Sequence, residues 1–147
     1  MLGIDDSPFE KEKDDSVLVV GVFFRGGQFM DGVLSTFVER DGDDATVKII
    51  EMVNKSKFHE QLHAVLLDGI AFGGFNVVNI EAVAKATGIP VITVTRRQPN
   101  LVAIKETLLK LRMEKKYKLM EIAGEPRIVE LEKGKMWIQF SGCGYDE

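Results

Sequence analysis

The sequence predicts an α/β fold: a mixed sheet whose first three strands run antiparallel and whose centre is a parallel strand-helix-strand unit, with flanking helices. Three observations carry that prediction. The stretch "VLVVGVFF" (residues 17–24) is an unbroken β-branched and aromatic run, the pattern of a strand buried on both faces. "HAVLLD", "VVNIEAVAKATG" and "IPVITVT" follow one another as strand, helix and strand, which implies a parallel crossover. With 147 residues, 45% hydrophobic and 29% charged, the chain suits one domain with one core and not a disordered or fibrous polymer.

The elements follow in order. Met1 to Ile4 is a short apolar strand that runs into "DDSPF". After the 17–24 strand and the "RGG" turn, "GVLSTFVE" (residues 32–39) has strand composition and stops at the turn-rich "RDGDD". Asp43 or Asp44 then caps a helix through "ATVKIIEMVNKSKF", in which Val47, Ile50 and Val53 recur at helical spacing. The helix of the central unit is closed by Gly88. "PNLVAIKETLLKLRMEKK" starts near Pro99 and sets Leu101, Ile104, Leu108 and Leu111 on one face, which predicts one amphipathic helix. Two or three short strands are expected around "KLMEIAG", "RIVELEKG" and "KMWIQFSG", the "EKG" being a hairpin turn.

A net charge of -4 argues against a broad basic field, so contact with nucleic acid would rest on local basic groups or on metal ions. Cys143 is the single cysteine; it excludes an intramolecular disulfide and fits a reducing, cytoplasmic setting. No run of about 18 apolar residues suggests a membrane span, and the N-terminal residues do not read as a signal peptide. His59 and His63 are four apart but at a helix end and a strand start, a poor metal pair. Trp137 and Phe140 read as packing in a late strand, and the basic run from Lys110 to Lys118 as a solvated helix end.

The candidate chemistry lies in carboxylates. The two buried strands Met1 to Ile4 and Ala64 to Leu67 each end directly in an acid, Asp5 and Asp68. If they pair in parallel, both acids reach the same carboxyl edge, where open α/β sheets bind their ligands. Two close carboxylates repel unless a cation or a shared proton lies between them. Magnesium or manganese suits such a pair, because a hard cation takes oxygen ligands and combines one or two carboxylates with waters and substrate phosphates. Asp41, Asp43 and Asp44 lie just before the first long helix and offer a third ligand, although helix capping explains Asp44 without chemistry. The loop "GIAFGGFN", with Gly69, Gly73 and Gly74, would let backbone amides approach a phosphate ahead of a helix N-terminus, but it has neither a P-loop lysine nor GxGxxG spacing.

Five blocks, "LGIDDSPF", "DGVLST", "DGDDAT", "LDGIAFGGFNVVNI" and "GIPVITVTRRQPN", together resemble the small, mostly archaeal family labelled endonuclease dU. That family is itself similar to endonuclease V, within the ribonuclease H-like fold. The resemblance implies a single endonuclease V-like domain over residues 1–147 that lacks parts of the family's N- and C-terminal ends. By position it makes Asp5 the first and Asp68 the second metal ligand, and it places the lysine of the endonuclease V motif on Arg96, or on Arg97 with a slip of one residue. The third carboxylate falls on Asp44, in the family's own block, with Glu39 and Asp41 as alternatives. Two endonuclease V features are absent: the aromatic-proline wedge from "QFMDGVLST" and the histidine after Asp-Gly from "DGIAFGGF".

Three function classes follow. The first is a magnesium-dependent (or manganese-dependent) endonuclease that hydrolyses phosphodiesters in nucleic acid, DNA before RNA, containing deaminated bases such as uracil, with a place in DNA repair. Asp5, Asp68 and Asp44 would hold metal, while Arg96, Arg97, Gly69, Gly73 and Gly74 meet substrate. The second is a non-catalytic nucleic-acid or nucleotide-binding module of the same fold. The third is a structural subunit that interacts through Phe72 to Phe75. Monomer and dimer both remain open.

Overall fold

The computed structural model describes residues 1–146. Its centre is a seven-stranded sheet, built from β1 (Leu2–Asp6), β2 (Ser16–Arg25), β3 (Phe29–Glu39), β4 (Val65–Asp68), β7 (Val91–Thr95), β8 (Arg127–Leu131) and β9 (Gly134–Ser141). Between β4 and β7 lie a two-stranded ribbon, β5 (Ala71–Phe72) with β6 (Asn76–Val77), and α2 (Ile80–Thr87). The sheet order is β3-β2-β1-β4-β7-β9-β8. β1, β2 and β3 pair antiparallel, whereas β1, β4 and β7 pair parallel, as the sequence predicts.

Four helices complete the fold: α1 (Ala45–Asn54), α2, α3 (Leu101–Lys110) and α4 (Glu114–Ile122). All four lie on one side of the sheet. Strand alternation sends Leu2, Ile4, Val17, Val19, Val65 and Leu67 to that side, where they form the main core with Ile49 and Val53 of α1 and Ile80 and Val83 of α2. A smaller cluster holds α3 and α4 over the ribbon through Leu108, Met120 and Val77. Asn79 and Asn100 cap α2 and α3 by accepting hydrogen bonds from the Ala82 and Ala103 amides, each at 3.0 Å. Gly88 closes α2 in the left-handed conformation, with φ 71°.

Several sequence expectations need correction. β2 is buried on one face alone: Val17, Val19 and Phe23 are enclosed, but Leu18, Val20 and Val22 are half-exposed because no helix covers their side. In α1 the buried stripe is Ala45, Ile49, Met52 and Val53, so Val47 points to solvent. The helix expected from Pro99 onward is two helices, interrupted at Arg112, whose φ of 55° is left-handed. The turn lets Leu108 and Met120 pack in one cluster and leaves Leu111 49% exposed. The "KLMEIAG" segment is therefore the end of α4 and not a strand, and the tail contributes a single hairpin, β8 with β9.

Candidate functional site

β1 and β4 run side by side in parallel, with Leu2 opposite Val65, Gly3 opposite Leu66 and Ile4 opposite Leu67. One residue further along, the same register sets Asp5 beside Asp68, on strands about 4.8 Å apart. Because Ile4 and Leu67 point into the core, alternation turns both acids to the opposite, helix-free face. There they line one cavity of about 640 Å³, with Val20, Leu66, Val94 and Arg96 among its walls. Both side chains are exposed, and among the described residues neither takes part in an ion pair. Among the described residues the hydrogen bond to the side chains of the pair is local, the Asp6 amide donating to Asp5 Oδ1 at 2.8 Å.

Arg96 follows the last residue of β7 and lines the same cavity, whereas Arg97 does not. Arg96 thus shares the cavity with the acids and, among the described residues, forms no salt bridge to either of them.

The acids of the 39–44 turn lie at the same edge but serve the structure. Asp44 Oδ1 accepts from the Glu39 amide at 3.0 Å and from Asn76 Nδ2 at 2.6 Å. Asn76, fully buried, returns its Oδ1 to the Ala45 amide at 2.9 Å and so caps α1 in place of an aspartate. Asp41 holds a left-handed φ of 52°; its Oδ1 accepts from the Phe75 amide at 2.8 Å and its own amide donates to the Gly73 carbonyl at 2.8 Å. Neither Asp44, Asp41 nor Glu39 lines the cavity. Among the described residues no group of three or more metal-type side chains gathers in one place.

The glycine loop is likewise tied down. The Gly73 amide donates to Asp6 Oδ2 at 2.6 Å and the Gly69 amide to the Val94 carbonyl at 3.0 Å. Gly74 has φ 88° and packs on Asp41 so closely that a Cβ would run into Oδ1. Phe72 is buried and Phe75 is half-buried, so the loop presents no pair of exposed aromatic rings. His59 Nε2 lies 2.9 Å from the Thr87 carbonyl, while His63 faces a separate cavity beside Met1.

Three residues of this neighbourhood escape the sequence patterns. Asp6 binds the loop because it follows Asp5 directly and alternation sends it to the other face. Asn76 joins α1 to the ribbon. Lys116 of α4, 6% exposed, extends Nζ to the carbonyls of Asp41, Gly42 and Phe75, and Asp43 Oδ1 lies 3.4 Å away. Asp6 alone had a readable signal, the doubled acid at the strand end.

The family model for Endonuclease dU matches residues 1–147. The chain belongs to the Endonuclease dU family. A UPF0215 protein of Methanothermobacter thermautotrophicus is 46% identical over 148 residues, covering 100% of this chain and 72% of the relative. A second, from Methanopyrus kandleri, is 44% identical over 99% of this chain and 74% of its own length. Among solved structures, a protein of unknown function from Archaeoglobus fulgidus is 39% identical and superposes with a TM-score of 0.86 over 99% of this chain and 79% of that one. Endonuclease V of Ciona intestinalis, solved with a 24mer DNA that contains an inosine followed by a ribo-adenosine, superposes with a TM-score of 0.51 at 13% identity. That match covers 94% of this chain and 69% of that one, and it places this Endonuclease dU member in the ribonuclease H-like fold.

Proposed function

We propose that the protein is a magnesium- or manganese-dependent endonuclease that cleaves phosphodiester bonds in DNA containing deaminated bases such as uracil. The observation that carries this reading is the pair Asp5 and Asp68, adjacent, exposed, without a cationic partner among the described residues, and open to one cavity with Arg96. Such a donor set fits a hard divalent cation, which needs one or two carboxylates and completes its shell with water and substrate oxygens. When bound, the metal supplies an activated water and stabilises charge on the leaving oxygen. Asp5 and Asp68 hold it at the sheet edge. Arg96 binds a phosphate oxygen pair through its planar fork, which orients the scissile bond against the acids. The family's name and the inosine-containing DNA of the endonuclease V neighbour support deaminated DNA as the substrate class. Among the described residues no helix is long and apolar enough to cross a membrane.

The test is cleavage of uracil- and inosine-containing DNA with magnesium. Asp5→Asn and Asp68→Asn should each lower the rate by about 100-fold or more while thermal melting stays close to that of the wild type. Cleavage retained in either variant refutes the assignment.

A second reading, a binding module without chemistry, is favoured by one observation: the third acid at the cavity, Asp6, is engaged by the Gly73 amide, and among the described residues no three metal-type side chains gather in one place. It predicts DNA affinity that is independent of metal and falls with salt, and the same assay, run with and without magnesium, separates the two.

A further inference from the structure

β3 is an edge of the seven-stranded sheet, and part of its backbone faces outward. The Arg40 amide donates to the Asp15 carbonyl at 2.9 Å, which fixes the side that each residue of β3 turns to β2. In an antiparallel ladder that side alternates. Leu34, Thr36 and Val38 therefore bond to β2, and the N–H and C=O groups of Val33, Ser35 and Phe37 point away from it. Glu39 also points outward, but its amide is taken by Asp44 and its carbonyl by Asn76. At the other end the pairing with β2 shifts between Phe23 and Phe24, opposite Gly32 and Met30, a bulge that ends the regular edge. The usable edge is thus "VLSTF", residues 33–37, with Ser35 at its middle. It holds no charge and no proline, the devices that ordinarily keep an edge from pairing. β8, the opposite edge of the sheet, is by contrast short and carries Arg127 and Glu130.

We infer that this edge pairs with the same edge of a second copy of the chain, making a twofold dimer with one continuous sheet. The free run sets the register. Antiparallel pairing about Ser35 places Ser35 against Ser35 and Val33 of each copy against Phe37 of the other, so every outward N–H meets a carbonyl. The side chains agree with it. Val33 and Phe37, 57% and 58% exposed, become cross-strand neighbours, and a β-branched residue opposite an aromatic one is a favourable pair. On the helix side, Glu51 and Lys55 of α1 line a cavity of about 290 Å³ with Leu34, Ser35 and Thr36. Within one chain Lys55 Nζ lies 3.7 Å from Glu51 Oε2. An axis through Ser35 reverses α1 in the second copy and brings Glu51 of each chain towards Lys55 of the other, a charge complementarity that steers the two copies into this register. A foreign strand would share none of these matches. The axis stands perpendicular to the sheet, so the cavities lined by Asp5 and Asp68 in both copies open on the same side. This dimer does not depend on the nuclease reading.

Sedimentation equilibrium at about 10–100 μM reads the mass in solution, and the mass of two chains is the expected result. Ser35→Pro removes an outward N–H and leaves the ladder to β2 intact, while Val33→Lys puts a charge on the edge. Each should weaken the dimer at least tenfold while circular dichroism keeps the wild-type spectrum. Val33→Lys is exposed and decides the matter if Ser35→Pro misfolds. Lys55→Glu should also weaken the dimer, and Glu51→Lys added to it should restore the association. A wild-type monomer throughout this range overturns the proposal, as does a dimer that Val33→Lys leaves unchanged. A dimer that a folded Ser35→Pro leaves unchanged overturns the strand pairing, and failure of the charge exchange to restore association overturns the register. Cleavage by the Asp5 and Asp68 variants reads the nuclease claim separately.

Discussion

Lys116 shows how a single buried cation can organise a site it does not enter. Its ammonium donates to three backbone carbonyls, on the 41–42 turn and on the glycine loop, and so joins α4 to both. Buried carbonyls that lose a charged donor are costly. Lys116→Met should destabilise the protein by roughly 2–4 kcal/mol, whereas Lys115→Met, exposed one position earlier, should shift it by no more than about 0.5 kcal/mol. Urea denaturation of the two variants measures the difference, and equal midpoints would contradict this role. The carboxylates divide in the same way. Asp41, Asp44 and Asp6 accept from backbone or amide donors of other elements; Asp5 accepts only from the neighbouring Asp6 amide among the described residues, and it lines the cavity with Asp68.

At the level of elements, the strands and the Gly88 helix stop were legible, whereas the α1 cap and the other long-range polar partners were not. The β-branched run of β2, the short apolar runs of β1, β4 and β7, and Gly88 at the end of α2 all carry local signals that survive folding. The pairing of β1 with β4, and with it the meeting of Asp5 and Asp68, followed from two strands that each end in an acid. What failed was information held elsewhere in the chain. Asn76 caps α1 from 31 residues away, and the periodicity from Leu101 to Leu111 gives no sign of a turn at Arg112. That turn yields a prediction of its own. A non-glycine residue in the left-handed region costs about 1–2 kcal/mol, part of which glycine would return as unfolded-state entropy. Arg112→Gly should therefore raise stability by about 0.5–1 kcal/mol, read as a higher urea midpoint; a lower midpoint would mean that the Arg112 side chain matters more than its backbone.

For the whole molecule, the topology separates two jobs on the two faces of one sheet. The helix side carries the core and the hydrogen-bonded turns, and the bare side carries the paired acids and Arg96. The apparent two-sided burial of β2 in the sequence comes from this division: its outward residues are apolar like its inward ones, yet they stay half-exposed because no helix among the described residues lies over their face. A net charge of -4 leaves this protein no general attraction to a polyanion, so a nuclease built on it depends on a cation at the acids to accept a phosphate. Calorimetric titration of magnesium and manganese into the wild type and into Asp68→Asn, each with and without a non-hydrolysable uracil-containing DNA to supply phosphate ligands, tests that dependence most directly. Divalent binding to the wild type that is lost in the variant is the expected result; no binding to the wild type even with DNA present, or equal binding to both proteins, would contradict a metal site at Asp5 and Asp68.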